Sequence, residues 1–199
     1  MSEVKKKHTY LFVFLVVVII AAVCTGGYFT YLKVAGTRND FVANKTNLAM
    51  RLYKNITEAD LEGAYPETPE AVADLNGNIV LLTYGAMIVN EEILEEILSI
   101  QRNLFAPELL ESTSSAEAQL ANVKSDISEL TERGFVCVEM NRFESIYSED
   151  RQSVTIHFTQ ILSPNSYINW YYKLVKADGR WKILGWVSDG GELGNVLES

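Results

Sequence analysis

The chain has 199 residues, of which 48% are hydrophobic and 22% are charged, and its net charge is −9. This length suits a single domain with its own hydrophobic core. Charge is divided along the chain, since residues 1–60 carry +4 and residues 61–199 carry −13. The acidic balance argues against nucleic acid as a partner, because binding to phosphates is favoured by a basic surface.

An uncharged, apolar run from Thr9 to Leu32 lies near the start of the chain, with Lys33 directly after it. A helix of about twenty such residues spans a hydrocarbon core roughly 30 Å thick. We therefore predict a cytoplasmic tail over residues 1–9 and one uncleaved transmembrane helix over residues 10–32. The lipid bilayer is the first partner that the sequence predicts.

Two other targeting signals compete with an uncleaved anchor. A cleaved signal peptide has a shorter apolar core and a small-x-small cleavage site. A lipoprotein signal needs a small residue before its cysteine, whereas Val23 precedes Cys24. Lysine and arginine are nearly balanced on the two flanks, but the short tail and the acidic distal part favour an N-terminus inside the cell. The predicted location is the cell membrane, single-pass, with the domain outside.

The segment after the anchor divides into a stalk, a domain and a tail. Residues 33–64 are predicted to form a juxtamembrane stalk, with a weak helical pattern through Leu48 and Ile56. The domain proper is predicted over residues 65–188. The acidic, Gly-rich residues 189–199 are predicted to form a flexible tail.

Three helices are predicted at the start of the domain. Each begins at a residue suited to an N-cap and continues with apolar residues at steps of three and four, the period of one helix face. A proline or glycine is expected to end the second and third helices. The expected boundaries are Thr68 and Pro69 for the first helix, Asn90 and Pro107 for the second, and Ser114, Glu117 and Gly134 for the third.

Beyond Gly134 the apolar period changes from about 3.6 to 2, which is typical of strands. Asp178-Gly179 predicts a tight hairpin before the last strand. The fold class is therefore α+β, with three helices packed on a curved, cone-like antiparallel sheet of about four strands. One sheet face is expected to be apolar and the other polar and wet. The expected strands cover residues 135–146, 152–162, 167–175 and 181–187.

This element order resembles the nuclear-transport-factor-2-like (cystatin-like cone) superfamily. The closing segment Lys176–Ile183 (KADGRWKI) carries most of the resemblance. The opening Tyr65–Pro69 and the ending Trp181–Trp186 look like those of uncharacterised membrane-anchored members in Gram-positive bacteria. The superfamily includes ketosteroid isomerases, dehydratases, assembly domains of secretion systems and plain binding modules, so the fold implied does not settle the function.

One face of the second and third strands carries the candidate ligand-binding residues. His157 is the residue from which an acid–base hypothesis starts, and it would need a shielded pocket inside the cone. The alternative is that this face meets solvent, because Val154, Ile156 and Phe158 form the obvious core face. Replacement of His157 by Gln is then expected to change stability by no more than roughly 0.5 kcal/mol. The candidates are Thr155, His157, Thr159, Asn169 and Tyr171.

No catalytic residue is assigned from the sequence. The isomerase-type enzymes that the resemblance implies need a carboxylate inside an apolar cone. Glu139 and Glu144 lie in the first strand, but Val138, Met140 and Phe143 are expected to point inward there. The enzyme hypothesis therefore has no carboxylate in a convincing place.

The aromatic, acidic and metal-ligating residues are the further candidates for binding sites. Trp170, Tyr172, Trp181 and Trp186 form either a stacking platform or, at strand spacing, part of the core. The four glutamates from Glu91 to Glu96 are expected to form a solvated helix face. Two histidines and no cysteine pair predict neither a metal site nor a cofactor.

Two function hypotheses follow from different classes of protein. The first is a membrane-anchored extracytoplasmic module without catalytic activity, which binds a protein or a small ligand and has an open sheet face for a partner or a homodimer. The second is a small-molecule isomerase, dehydratase or hydrolase that uses a pocket inside the cone. A cavity with at least one ionisable side chain is required by the second, and a sealed, apolar interior would exclude it.

Overall fold

A computed structural model of the chain describes residues 45–88, 90–113 and 115–189. The predicted cytoplasmic tail, the predicted transmembrane helix and the C-terminal tail after Asp189 lie outside these residues. Within the described ranges, the structure contains no helix that is both long and apolar enough to cross a membrane.

The described chain has an α+β fold, as predicted, with five helices and one antiparallel sheet of four strands. The sheet is a meander in the order β1-β2-β3-β4. Helix α1 lies in the predicted stalk, where the sequence shows a weak helical pattern, whereas the short α4, which begins at Pro107, was not predicted. The elements are α1 over residues 45–57, α2 Pro69–Tyr84, α3 Glu91–Arg102, α4 Pro107–Ser112, α5 Ala116–Glu132, β1 Val136–Tyr147, β2 Ser153–Ser163, β3 Ser166–Ala177 and β4 Arg180–Ser188.

Side-chain caps set the starts of the three longer helices of the domain. The Thr68 hydroxyl accepts a hydrogen bond from Ala71 N at 3.2 Å, and Asn90 Oδ1 accepts one from Glu92 N at 2.8 Å. For α5 the N-cap is Ser115, one residue later than the predicted Ser114. These oxygens satisfy backbone donors that have no partner inside the helix.

The turn between β3 and β4 has the conformation that its sequence predicts. Asp178 has φ +50° and Gly179 has φ +78°. A two-residue hairpin of this type needs positive φ at both central residues, which Asp-Gly tolerates. The turn places Trp181 and Ile183 on the buried side of β4, at 7% and 0% exposure, so both side chains lie in the core.

The first strand does not keep the simple alternation assumed from the sequence. Its pairing with β2 shifts between Cys137 and Glu139 and again between Arg142 and Ser145. Each irregularity changes which side chains face inward. Phe143 is 59% exposed and Val138 is 41% exposed, so their expected inward orientation is wrong.

The hydrophobic core lies between the helices and the sheet face that carries Val154, Ile156 and Phe158, here called the inner face. Helix α2 approaches this face closely, because a Cβ at Gly77 would lie only 3.1 Å from the Phe158 ring. Leu52 and Ile56 of α1 are buried in the same core. The compact unit begins at Leu48, so part of the predicted stalk belongs to the folded domain.

Helix α5 packs on α3 rather than directly on the centre of the sheet. Its one buried residue, Val123, contacts the cluster of Leu94 and Leu98. The segment that joins α3 to α4 runs along β4, where Ile183 N donates to Leu104 O at 2.8 Å and Ala106 N donates to Ile183 O at 2.8 Å. This arrangement holds α5 above the inner face and leaves space between them.

Candidate functional site

A cavity of about 600 Å³ lies between α5 and the inner face of the sheet, with α2 and α3 at its sides. Ligand pockets for small molecules commonly have volumes of roughly 300–1,000 Å³. The exposed side chains of Asn122, Asp126 and Glu129 line the cavity on the α5 side. The cavity therefore has the size of a small-molecule site and reaches an exposed surface of the domain.

Aromatic rings from β3, β4 and the segment after α3 form the apolar lining. The Trp186 ring lies 5.7 Å from the Phe105 ring and 6.2 Å from the Tyr172 ring, measured between centroids. Tyr172 is buried, whereas Trp186 is 40% exposed. Of the four aromatic residues singled out in the sequence, Trp170, Tyr172 and Trp186 line the cavity, and Trp181 belongs to the core beside Tyr147.

A chain of amide side chains crosses from α2 to α5 along the cavity wall. Gln101 Nε2 donates to Asn76 Oδ1 at 2.9 Å, and Gln119 Nε2 donates to Gln101 Oε1 at 3.0 Å. Arg102 Nη1 then donates to Gln119 Oε1 at 3.1 Å. Asn76 is 2% exposed, and its hydrogen bonds offset the cost of burying the amide. The three neutral amides, with the Arg102 guanidinium at one end, give the wall a defined polar side.

A second polar pair lies on the sheet side of the cavity. Trp170 Nε1 donates to Gln160 Oε1 at 2.9 Å. Gln160 is 4% exposed, and the buried thiol of Cys137 nearby donates to Glu139 O at 3.7 Å. Burial raises the pKa of that thiol, which keeps Cys137 protonated and unreactive at neutral pH. The pair fixes the Trp170 indole against the cavity.

Thr83 on α2 is the exception to this pattern of satisfied polar groups. It lines the cavity and is 3% exposed. Within the part of the chain that the structure describes, its Oγ1 has no hydrogen-bond partner. Hydroxyls inside helices often bond to the carbonyl one turn earlier, and here that bond is not made. An unpaired buried hydroxyl lowers the stability of a fold by about 1–3 kcal/mol, and such groups are rare in native structures.

Ionisable groups of the cavity are tyrosines and carboxylates. Tyr84 donates its hydroxyl to Asp126 Oδ2 at 3.3 Å. Burial raises the pKa of Tyr84, with a further rise from the Asp126 charge, and burial also raises the pKa of Tyr172. Both tyrosines are therefore neutral at physiological pH. Among the described residues that line the cavity, none is Lys, Arg or His.

The five residues predicted from the sequence lie together on the outer face of the sheet and do not line this cavity. Thr155, His157, Thr159, Asn169 and Tyr171 are all half-buried. Thr159 Oγ1 donates to Asn169 Oδ1 at 2.7 Å, and His157 Nε2 lies 3.2 Å from the same oxygen. The face assignment from alternation is confirmed, since Val154, Ile156 and Phe158 are buried opposite.

His157 lies between two aromatic rings, which sequence reasoning did not foresee. Its ring stacks on Tyr171 at 4.8 Å and on Phe143 at 5.1 Å. The contact with Phe143 depends on the irregular pairing of β1, which brings Phe143 to the outer face. His157 is thus part of an aromatic row across three strands.

Two of the cavity residues are polar at positions where the sequence pattern predicts an apolar side chain. Gln101 interrupts the apolar stripe of α3, and Gln160 occupies a core-face position of β2. A polar residue at a position that the period assigns to the core is expected to have a buried partner or a ligand.

The acidic row Glu91–Glu96 is exposed, with Glu91 paired to Lys124 at 2.9 Å and Glu96 accepting from Tyr53.

Comparison with known proteins assigns the sequence to one family. Residues 1–186 match the family described as "Domain of unknown function (DUF6715)". No curated protein matches the sequence. The crystal structure of the intermembrane space region of the chloroplast protein ARC6 is similar at 14% identity and a TM-score of 0.33, over 60% of this chain and 92% of that one.

Proposed function

We propose that this chain, which belongs to the DUF6715 family, is a membrane-anchored binding module without catalytic activity that takes a small ligand into the cavity between α5 and the sheet. The observation that carries the proposal is the cavity itself. It combines about 600 Å³ of space with an aromatic lining and a few fixed amide groups. Small-molecule sites are typically concave and mostly apolar, with a small number of placed polar groups.

The same proposal includes the anchor and the location. The apolar run over residues 10–32 is the transmembrane helix, the N-terminus is inside a bacterial cell, and the domain is outside. Mass spectrometry of the protein from membranes is expected to find the peptide before Lys33 still attached. A mature N-terminus at or just after Cys24 would contradict the anchor.

The fold proposal is a cone of the nuclear-transport-factor-2-like kind. Its support is the order of helices followed by an antiparallel meander, and the two pairing irregularities that bend β1. In such a cone the cavity occupies the space between the helices and the concave side of the sheet. The superfamily assignment rests on this order and on the closing KADGRWKI segment.

Catalysis is the alternative function, as a small-molecule isomerase, dehydratase or hydrolase. The cavity does hold ionisable groups, and the Tyr84–Asp126 hydrogen bond is the observation that favours this hypothesis. However, Asp126 and Glu129 are exposed. A carboxylate that acts as general base in such enzymes needs an apolar surrounding, which raises the pKa of its carboxyl group. Binding therefore has the better support.

A protein partner or a second copy on the outer sheet face is a further part of the proposal. Phe143 and Ile146 of β1 are 59% and 60% exposed on this face, and Tyr167 of β3, 67% exposed, lies further along it. Exposed apolar side chains that lie near one another mark interaction surfaces more often than isolated ones do. Analytical ultracentrifugation of the wild type and of Phe143→Ser tests this, since a homodimer through this face should weaken in the variant.

The cavity is tested by filling it. Ile168 lines the cavity from β3, and Ile161 lies on the outer face of β2. The full chain, extracted from membranes into lipid nanodiscs, is washed, and the small molecules that it retains are identified by mass spectrometry. Wild type and Ile161→Trp should retain the same compound, and Ile168→Trp should lose it. Equal retention by all three proteins would contradict binding in the cavity.

A further inference from the structure

Thr83 is the one described side-chain oxygen or nitrogen that is buried without a hydrogen-bond partner, and it lines the cavity. The other buried polar side chains of the cavity wall have partners: Asn76 pairs with Gln101, and Gln160 pairs with Trp170. Thr83 Oγ1 is therefore the buried polar atom of the described wall whose hydrogen-bonding capacity is unused.

From this contrast we infer that Thr83 is the anchor of the ligand, and that the ligand is an uncharged molecule with an apolar, ring-bearing body and a carbonyl or hydroxyl oxygen that pairs with Thr83 Oγ1. This inference rests on the proposed binding function and names its ligand class. A threonine hydroxyl is both donor and acceptor, so it accepts either oxygen type. Bonding to the ligand would remove the penalty of the unpaired hydroxyl.

The charges of the cavity select against an anion. Asp126 and Glu129 are the charged residues among the described lining, and Glu129 is paired with Arg133 at 3.3 Å. A carboxylate ligand would lose its hydration and find no cation among the described lining residues to replace it. The ring-bearing body follows from Trp170, Tyr172 and Trp186, because aromatic rings favour stacked or edge-on contacts with other rings.

Three naphthalene probes separate these features. The ketone 2-acetylnaphthalene and the alkene 2-isopropenylnaphthalene differ only in an oxygen in place of a methylene group, and 2-naphthoate carries a charge. Binding is measured by equilibrium dialysis of the full chain in nanodiscs against the same nanodiscs without protein, so that partition into lipid cancels. The wild type should bind the ketone and the alkene, and 2-naphthoate at least tenfold more weakly than the ketone, on the order of one lost buried interaction.

The variants assign the oxygen to Thr83. Thr83→Val should lower the ratio of ketone to alkene affinity about tenfold while leaving alkene affinity unchanged, because valine has the same shape without the hydroxyl. Thermal stability of the ligand-free protein should not fall, since the variant removes an unpaired buried hydroxyl. Thr83→Ser should restore the ratio. Thr159→Val, which removes a hydroxyl on the outer face, should leave the ratio as in the wild type.

Two results would overturn the inference. The first contradicts only the Thr83 anchor, and the second contradicts the proposed cavity site as well. If Thr83→Val leaves the ketone-to-alkene ratio unchanged while Ile168→Trp abolishes binding of both probes, the Thr83 anchor is wrong and the cavity site stands. If neither probe binds the wild type, or if Ile168→Trp binds both as the wild type does, the cavity site fails and the anchor fails with it.

Discussion

The indole nitrogen of Trp170 donates a hydrogen bond to Gln160 Oε1 at 2.9 Å, between neighbouring strands and at the wall of the cavity. Gln160 is almost fully buried, so this bond offsets part of the cost of placing its amide in the core. The pair links the stability of the sheet to the shape of the proposed binding site.

Breaking this pair should destabilise the fold. Gln160→Leu leaves the Trp170 nitrogen without its partner and should lower the free energy of unfolding by about 1–3 kcal/mol. The double variant Gln160→Leu, Trp170→Phe should recover on the order of 1 kcal/mol of the summed losses. Denaturant unfolding followed by circular dichroism measures this, and strictly additive losses would show that the bond contributes nothing.

The indole of Trp181 tests the register of the last strand. It is 7% exposed, so Trp181→Ala should lower the free energy of unfolding by about 3–5 kcal/mol, as large-to-small core changes do. Trp186→Ala is the matched control, because Trp186 is 40% exposed and should cost less. A Trp181→Ala protein as stable as the control would contradict the burial of this ring.

The sequence predicts the elements of this fold better than it predicts the site. Caps such as Thr68 and Asn90 and the Asp178-Gly179 turn act within a few residues, so local chemistry determines them. The orientation of Phe143 depends on pairing irregularities of β1 that alternation does not contain. The cavity depends on α5 packing against α3, a contact between distant segments, and Thr83 has no local signal at all.

Alkaline pH should weaken the fold through its buried tyrosines. Tyr65 donates to Trp181 O at 2.8 Å, and burial raises its pKa to about 12, against a lowering by nearby Arg180. Between pH 10 and about 12 the unfolded chain releases this proton and the folded chain keeps it, so the free energy of unfolding falls as pH rises. Below pH 10 both states hold the proton and this group contributes no pH dependence.

Tyr65→Phe measures that contribution. The variant should show a shallower fall of the unfolding free energy between pH 10 and 12, because one group that titrates differently in the two states is gone. Tyr84 and Tyr172, whose pKa values burial also raises, retain part of the slope. Identical slopes for the wild type and the variant would show that Tyr65 ionises equally in both states.

His157 should matter more than its strand position alone suggests. Its ring stacks between Phe143 and Tyr171, so His157→Gln should cost about 0.5–1.5 kcal/mol, the energy of an aromatic contact beyond burial. The neighbouring Thr155→Ala, on the same face, should cost less. Chemical denaturation distinguishes the two, and a loss below roughly 0.5 kcal/mol would restore the sequence-based expectation of an ordinary surface site.

The most direct measurement of ligand binding in the cavity uses the three tryptophans of the chain. Trp170 and Trp186 line the cavity, whereas Trp181 lies in the core away from it. The full chain is labelled with 5-fluorotryptophan and titrated with 2-acetylnaphthalene in nanodiscs. We predict that the ¹⁹F resonances of Trp170 and Trp186 shift together and that the Trp181 resonance stays in place. A titration that moves none of the three, or moves Trp181 as much as the other two, would contradict binding in this cavity.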